Sequence, residues 1–121
     1  MLRTSLLVGA GGFAGSCLRY WAGLAGARLA GGPTPWATAF VNLTGCLVIG
    51  FLSARALSPE LRAFALVGVL GGYTTFSTFG YETFALLEQG RVGLALANAG
   101  GQLVLGVLAV FAGVLLARGT A

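Results

Sequence analysis

The sequence predicts an all-α integral membrane protein with four transmembrane helices, the third broken near its middle, paired as an antiparallel dual-topology dimer. Three observations carry that expectation. The 121 residues are 57% hydrophobic and only 8% charged, whereas soluble domains carry about 25% charged residues. Short polar or Pro/Gly turns divide the chain into four apolar runs, over residues 6–29, 36–57, 60–88 and 92–117. Each is long enough for the roughly 20 residues that cross a bilayer as a helix. The third run is interrupted by Gly71-Gly72-Tyr73-Thr74-Thr75-Phe76-Ser77-Thr78-Phe79-Gly80-Tyr81-Glu82. A unit of this size is read as one bundle over residues 1–121, with no room for a separate soluble domain.

The composition also excludes several classes. The formal charge of +4 comes from seven Arg and three Glu, with no Lys, Asp or His. The arginines are scattered singly between apolar runs, which argues against a nucleic-acid partner. A lone intramembrane Glu provides no paired acid and base and no activated nucleophile, so no enzyme activity is expected. Cys17 and Cys46 both fall inside apolar spans without a metal-ligand cluster and read as small core residues.

The first span opens after Arg3 and contains Gly11-Gly12-Phe13-Ala14-Gly15-Ser16-Cys17-Leu18-Arg19-Tyr20. A basic residue before an apolar run that ends in Ala25-Gly26-Ala27 has the outline of a signal peptide. Cleavage there would remove a quarter of a minimal bundle, so the segment is read as retained. Gly11 and Gly15 have the small-xxx-small spacing that lets membrane helices approach closely. A charge at the centre of a membrane helix costs about 2.5–3.5 kcal/mol on insertion scales. Arg19 is therefore either an anchor snorkelling to the interface or a positive mouth that attracts an anion into a polar vestibule. Gly31-Gly32-Pro33-Thr34-Pro35 ends the hairpin.

Trp36 anchors the second span at the interface. Thr38 and Asn42, four residues apart, share one of its faces. The Asn42 amide is either interhelical glue or a pore group with two donors to offer a dehydrating anion. Ser58 can cap the third helix, with Pro59 in its first turn. The Gly71-Gly72 pair and the hydroxyls after it weaken the helix, and two half-helices joined by an unwound linker over about residues 71–76 are expected. Unwound backbone at membrane depth must be buried in protein or line a watery cavity, where its carbonyls can face cations and half-helix N-termini can face anions. Beyond the break Thr75, Thr78 and Glu82 follow at helical spacing, with Phe76 and Phe79 on a neighbouring stripe. In the fourth span Asn98, Gln102 and Gly106 form one polar stripe, either glue or pathway.

Orientation is nearly balanced. Four spans place Arg3, Arg55, Arg62 and Arg118 on one side, and Arg28, Arg91 and Arg19 on the other. Four against three is a weak positive-inside bias. A chain so balanced can insert either way up, and two opposed copies can pair. Four helices enclose little space, which favours a pathway between subunits over one within a subunit.

The third-span motif, the Gly11-Gly12-x-x-Gly15-x-x-x-Arg19-Tyr20 run and Thr38-x-x-x-Asn42-x-x-Gly45 together resemble the Fluc (CrcB) fluoride channels across all four spans. The resemblance implies an antiparallel dimer that exports fluoride passively through two narrow pores in the inner membrane of a prokaryote. It also implies a structural sodium ion at the dimer centre, held by the backbone carbonyls of Gly71 and Thr74 from each subunit. Asn42, Phe76, Phe79, Thr78 and Glu82 would be pore residues, joined by Thr38, Tyr81 and the Arg19 mouth. Hydroxyl and amide donors would replace the ion's water, and the Phe rings would offer their positive edges. A proton on Glu82, or its hydroxyl neighbours, would reconcile a carboxylate with an anion path.

The fourth helix departs from the family pattern of a Tyr followed by Ser or Thr at four-residue steps, since Asn98, Gln102 and Gly106 stand there instead. Gly80 replaces a frequent hydroxyl residue. Some members of the family pair two different subunits, so a heterodimer with one conducting pore is the variant of the homodimer to weigh. The alternative function is a small dual-topology proton-coupled drug exporter, for which the first two spans lack an acidic residue. A purely structural subunit is a third class.

Overall fold

The computed structural model describes residues 1–120, and among them every regular element is helical. Helix α1 is Leu2–Ala30 and α2 is Pro35–Ser53. Helix α3 covers residues 59–73, α4 is Phe76–Glu88 and α5 is Val92–Gly119.

Local chemistry sets the helix ends. Gly31 adopts a left-handed φ of 73° and stops α1, a conformation that costs glycine nothing. The Thr34 hydroxyl then caps α2 by accepting from the Trp36 N–H at 3.4 Å, with Pro35 leading the helix. Ser58 caps α3 in the same way from the Leu61 N–H at 3.3 Å, with Pro59 first. Helix α2 ends at Ser53, short of residue 57. Pro59 forces Ser58 into extended backbone, and Arg55 turns away to donate to Thr120 Oγ1 at 2.6 Å while lying over the Phe51 ring. This ties the α2–α3 turn to the end of α5.

Helix α3 is regular over Pro59–Arg62, widens into a π-helix over Ala63–Leu70 and tightens again over Gly71–Tyr73. The interruption is narrower than the sequence implies. Gly71 and Gly72 remain helical, and only Thr74 (φ −80°, ψ 157°) and Thr75 (φ −150°, ψ 117°) are extended. Glycine at 72 serves packing, because a Cβ there would meet the Gly12 carbonyl at 2.5 Å.

That contact belongs to the first of two glycine seams. Along α1 and α3, Gly11 lies against the Phe64 carbonyl and Gly15 against the Val69 carbonyl, while Gly68 approaches Val8 and Gly11. Both helices thus carry small residues four apart at the crossing, the arrangement that brings membrane helices into backbone contact. The second seam joins α2 to α5, where Gly50 meets the Val110 carbonyl and Gly113 meets the Leu47 carbonyl and the Phe51 N–H. The half-helix α4 returns between α2 and α5.

Among the described residues, three stretches are long and apolar enough to cross a membrane: Pro35–Ser53, Pro59–Glu88 and Val92–Gly119. Helix α1 has the length, but Arg3, Arg19, Arg28 and its many small residues lower its apolarity. Its glycine seam lays it along α3. The protein is a multi-pass membrane protein whose apolar side chains largely face outward, with Leu103, Val104, Val107 and Phe111 all more than half exposed.

The seams predict a contrast between glycines. Gly15→Leu pushes its side chain into the Val69 main chain and is expected to lower stability by about 3 kcal/mol or more, beyond ordinary overpacking. Gly93→Ala, where no atom lies within 4 Å of the added carbon, is expected to leave stability unchanged. Thermal unfolding in mild detergent reads both.

Candidate functional site

The two extended residues between α3 and α4 need partners that a helix would have provided. The Thr74 N–H keeps its helical bond to the Leu70 carbonyl, and the Asn42 side chain, reaching across from α2, supplies partners for Thr75. The Thr75 N–H donates to Asn42 Oδ1 at 2.8 Å, and Asn42 Nδ2 donates back to the Thr75 carbonyl at 3.1 Å. One carboxamide thus satisfies both main-chain groups of a residue only 9% exposed. In a continuous helix the Thr75 and Thr78 amides would bond to the carbonyls four residues earlier, those of Gly71 and Thr74. Here the first goes to Asn42, and the second goes to Thr75 Oγ1 at 3.3 Å as an N-cap. The Gly71 and Thr74 carbonyls therefore lose these two amide partners.

The remaining polar groups fall into two hollows on either side of this clamp. The first, of about 440 Å³, is lined by Ser16 and Arg19 of α1, Thr38 of α2, and Thr75, Thr78 and Glu82 around the start of α4. Thr38 donates to Glu82 Oε1 at 2.7 Å. Glu82 Oε2 is buried without a hydrogen-bond partner among the described residues. Thr75 Oγ1 donates to Thr78 Oγ1 at 3.0 Å. One cation, one carboxylate and a row of hydroxyls thus converge on a single recess.

The second hollow is an open groove of about 600 Å³ between α2, α4 and α5, lined by Asn42, Phe76, Phe79, Gln102, Leu103 and Val107 among others. The Phe76 and Phe79 rings stand 5.5 Å apart at 48°, within the tilted geometry that aromatic pairs favour. Phe76 is 83% exposed, so its side chain has almost no partner within the subunit.

The anticipated site residues are therefore divided by the structure. Arg19, Thr38, Thr78 and Glu82 share the first hollow, whereas Asn42, Phe76 and Phe79 line the second. Tyr81 lines neither and is 71% exposed. Gly71 is exposed, with room for a side chain. Asn42 spends both amide protons inside the subunit, the second on Gln102 Oε1 at 2.8 Å. Gln102 donates to Asn98 Oδ1 at 2.9 Å along the same helix, and the bonds from Asn42 to Gln102 and from Asn98 to Thr83 tie this part of the fourth-helix stripe to its neighbours.

Sequence reasoning passed over Thr83, which accepts from Asn98 Nδ2 at 2.8 Å and donates to the Phe79 carbonyl at 2.8 Å. Its signal was a hydroxyl one turn after Phe79 in a membrane helix. Sequence reasoning also left Ser16 without a role, although it lies one turn before Arg19 on the same face. Among the described residues no group of three His, Cys, Asp or Glu side chains is placed to hold a metal ion.

Residues 6–114 match the family described as CrcB-like protein, Camphor Resistance (CrcB). The chain belongs to the CrcB family. Relatives in that family include a protein of Rhizobium meliloti, 51% identical over 118 residues that cover 93% of this chain and 94% of the relative. A protein of Thermus thermophilus is 52% identical over 112 residues, covering 89% and 88%. Both bear the name fluoride-specific ion channel FluC. A Rhodopseudomonas palustris relative named fluoride-specific ion channel FluC 1 is 45% identical over 118 residues, covering 92% and 84%. These relatives are named as channels and not as enzymes.

Asn42→Ala leaves the buried Thr75 N–H without a partner, removes the side-chain donor from the Thr75 carbonyl and deprives Gln102 Oε1 of its donor. With about 1–3 kcal/mol for each buried group left without a partner, this substitution is expected to destabilise the protein more than any neighbouring truncation on α2. Denaturation of purified Asn42→Ala and Cys46→Ala side by side checks the ranking.

Proposed function

We propose that this chain is a fluoride-selective channel that exports fluoride passively across a prokaryotic cell membrane and so relieves fluoride toxicity. The observation that carries the reading is the name borne by relatives at 51% and 52% identity over about nine-tenths of the chain. The geometry supplies what such an ion needs. Fluoride is small and strongly hydrated, so a path for it must replace water with donors. The Thr78 hydroxyl and the Arg19 guanidinium face one recess, where Thr38 and Thr75 already donate to Glu82 and Thr78 and would have to exchange those partners for the ion. The Phe76 and Phe79 rings line the groove beyond it. The α4 N-terminus points its free amides into the break, at the positive end of the helix dipole. An ion taking a proton from Asn42 must displace either the Thr75 carbonyl or Gln102, because both Asn42 protons are engaged.

The functional unit in this reading is an antiparallel homodimer. An open groove of about 600 Å³ containing a nearly bare Phe76 supports closure by a second copy, and the four-to-three balance of arginines supports insertion in both orientations. A structural sodium ion suits the break. The Gly71 and Thr74 carbonyls, relieved of their helical amides, are hard oxygen donors that match a hard cation. Its chemistry there would be to neutralise converging carbonyl dipoles.

Liposomes reconstituted with this protein alone, assayed with a fluoride electrode and again for chloride, test the proposal. Rapid fluoride release without chloride release is expected. A folded, dimeric protein that releases no fluoride would overturn the homodimeric channel and turn attention to a second, related subunit or to another substrate.

A further inference from the structure

The hydrogen bonds around Asn42 form one directional chain. It starts at the Thr75 N–H, which donates to Asn42 Oδ1. Asn42 Nδ2 donates to Gln102 Oε1, Gln102 Nε2 to Asn98 Oδ1, and Asn98 Nδ2 to Thr83 Oγ1. The Thr83 hydroxyl spends its only proton on the Phe79 carbonyl. Every donor points the same way, through three carboxamides and a hydroxyl on four successive side chains. Both ends are main-chain groups without a choice, since an N–H only donates and a C=O only accepts. No member can turn over without setting donor against donor or acceptor against acceptor. Asn98, near the centre of the chain, is 5% exposed, so water is not available to repair a reversed link.

We propose that Gln102, Asn98 and Thr83 are positioning residues that fix the Asn42 carboxamide in the orientation that holds the helix break open, and that Gln102 does not serve as a contact of the permeating ion. Their effect passes through Asn42 to Thr75, and so to the carbonyls of Gly71 and Thr74. The fourth-helix stripe works here as an internal brace, with Gln102 and Asn98 bonded to each other along the helix and to Asn42 and Thr83 across to its neighbours. The efflux arm of the test rests on the channel reading, whereas its exchange arm does not.

Thr83→Val keeps the shape of the side chain, removes the last acceptor and touches neither hollow. Gln102→Leu cuts the chain at its centre. The expected result is that each raises hydrogen exchange at the Thr75 amide about tenfold, as loss of roughly one hydrogen bond's support implies, and slows fluoride efflux per folded channel to a similar degree. The double variant is expected to match either single one. Thr83→Val with wild-type exchange at Thr75 would overturn the proposal, as would additive effects in the double variant. Efflux that falls in Gln102→Leu with Thr75 exchange unchanged would also overturn it and assign Gln102 to the ion. If the unaltered protein does not conduct, the channel reading falls, and the exchange measurement still decides this inference.

Discussion

Two hydrogen bonds between the Asn42 carboxamide and the Thr75 main chain hold the interruption on which the rest of the site depends. In a membrane an unwound residue cannot turn to solvent, and each abandoned amide or carbonyl costs several kcal/mol in hydrocarbon. A single side chain with one acceptor and two donors can replace the helical partner of the Thr75 N–H and donate to its carbonyl as well. With that replacement in place, the chain leaves α3, crosses two extended residues and starts α4 under a Thr75 cap. Everything functional then follows from direction. The first turn of α4 aims its amides at the break, and the preceding carbonyls are released toward it.

The clamp needs α2 close to the break, and the glycines provide that closeness. Gly45 lies one turn after Asn42 and seats the Thr74 side chain against its bare Cα. The α1–α3 seam holds the other side of the break at backbone contact through Gly12, Gly15 and Gly72, while the α2–α5 seam brings Gln102 within reach of Asn42. Tight packing of small residues and a handful of interhelical hydrogen bonds substitute for the hydrophobic drive that lipid does not provide. The unmatched remainder is the groove around Phe76, where one subunit leaves a ring bare.

Much of this could be read from residue order. Four apolar runs divided by turns, the Ser58-Pro59 start, the packing role of Gly11 and Gly15 and the broken third span all follow from local chemistry that acts the same way in any context. The interruption's exact extent does not. Gly71-Gly72 looks like the weak point on propensity, yet Gly72 packs closely against Gly12 of α1 and both glycines stay helical, and the break falls at Thr74 and Thr75, where the Thr75 main chain finds a partner in Asn42. The partner for Asn42 was equally hidden. Its amide reads as glue or pore group with equal right, because the choice depends on Thr75 and Gln102, 33 and 60 residues away in the chain. Asn98 and Gln102 stood in the open as a polar stripe, but Thr83, which completes their chain, looked like one more hydroxyl in a hydroxyl-rich segment. The division of the anticipated pore residues between two hollows was not legible at all, since it arises from the crossing of α4 over α2.

The central claim is that the Thr75 amide has left Gly71 for Asn42. Solid-state NMR of the protein in lipid bilayers, with ¹⁵N and ¹³C in threonine and ¹³C in the Asn side chain and Gly carbonyl, measures that choice directly. The account predicts a short-range correlation between Thr75 ¹⁵N and Asn42 ¹³Cγ, together with extended-type ¹³C shifts at Thr74 and Thr75. A Thr75 amide correlated instead with the Gly71 carbonyl across a hydrogen bond, with helical shifts on both threonines, would contradict it.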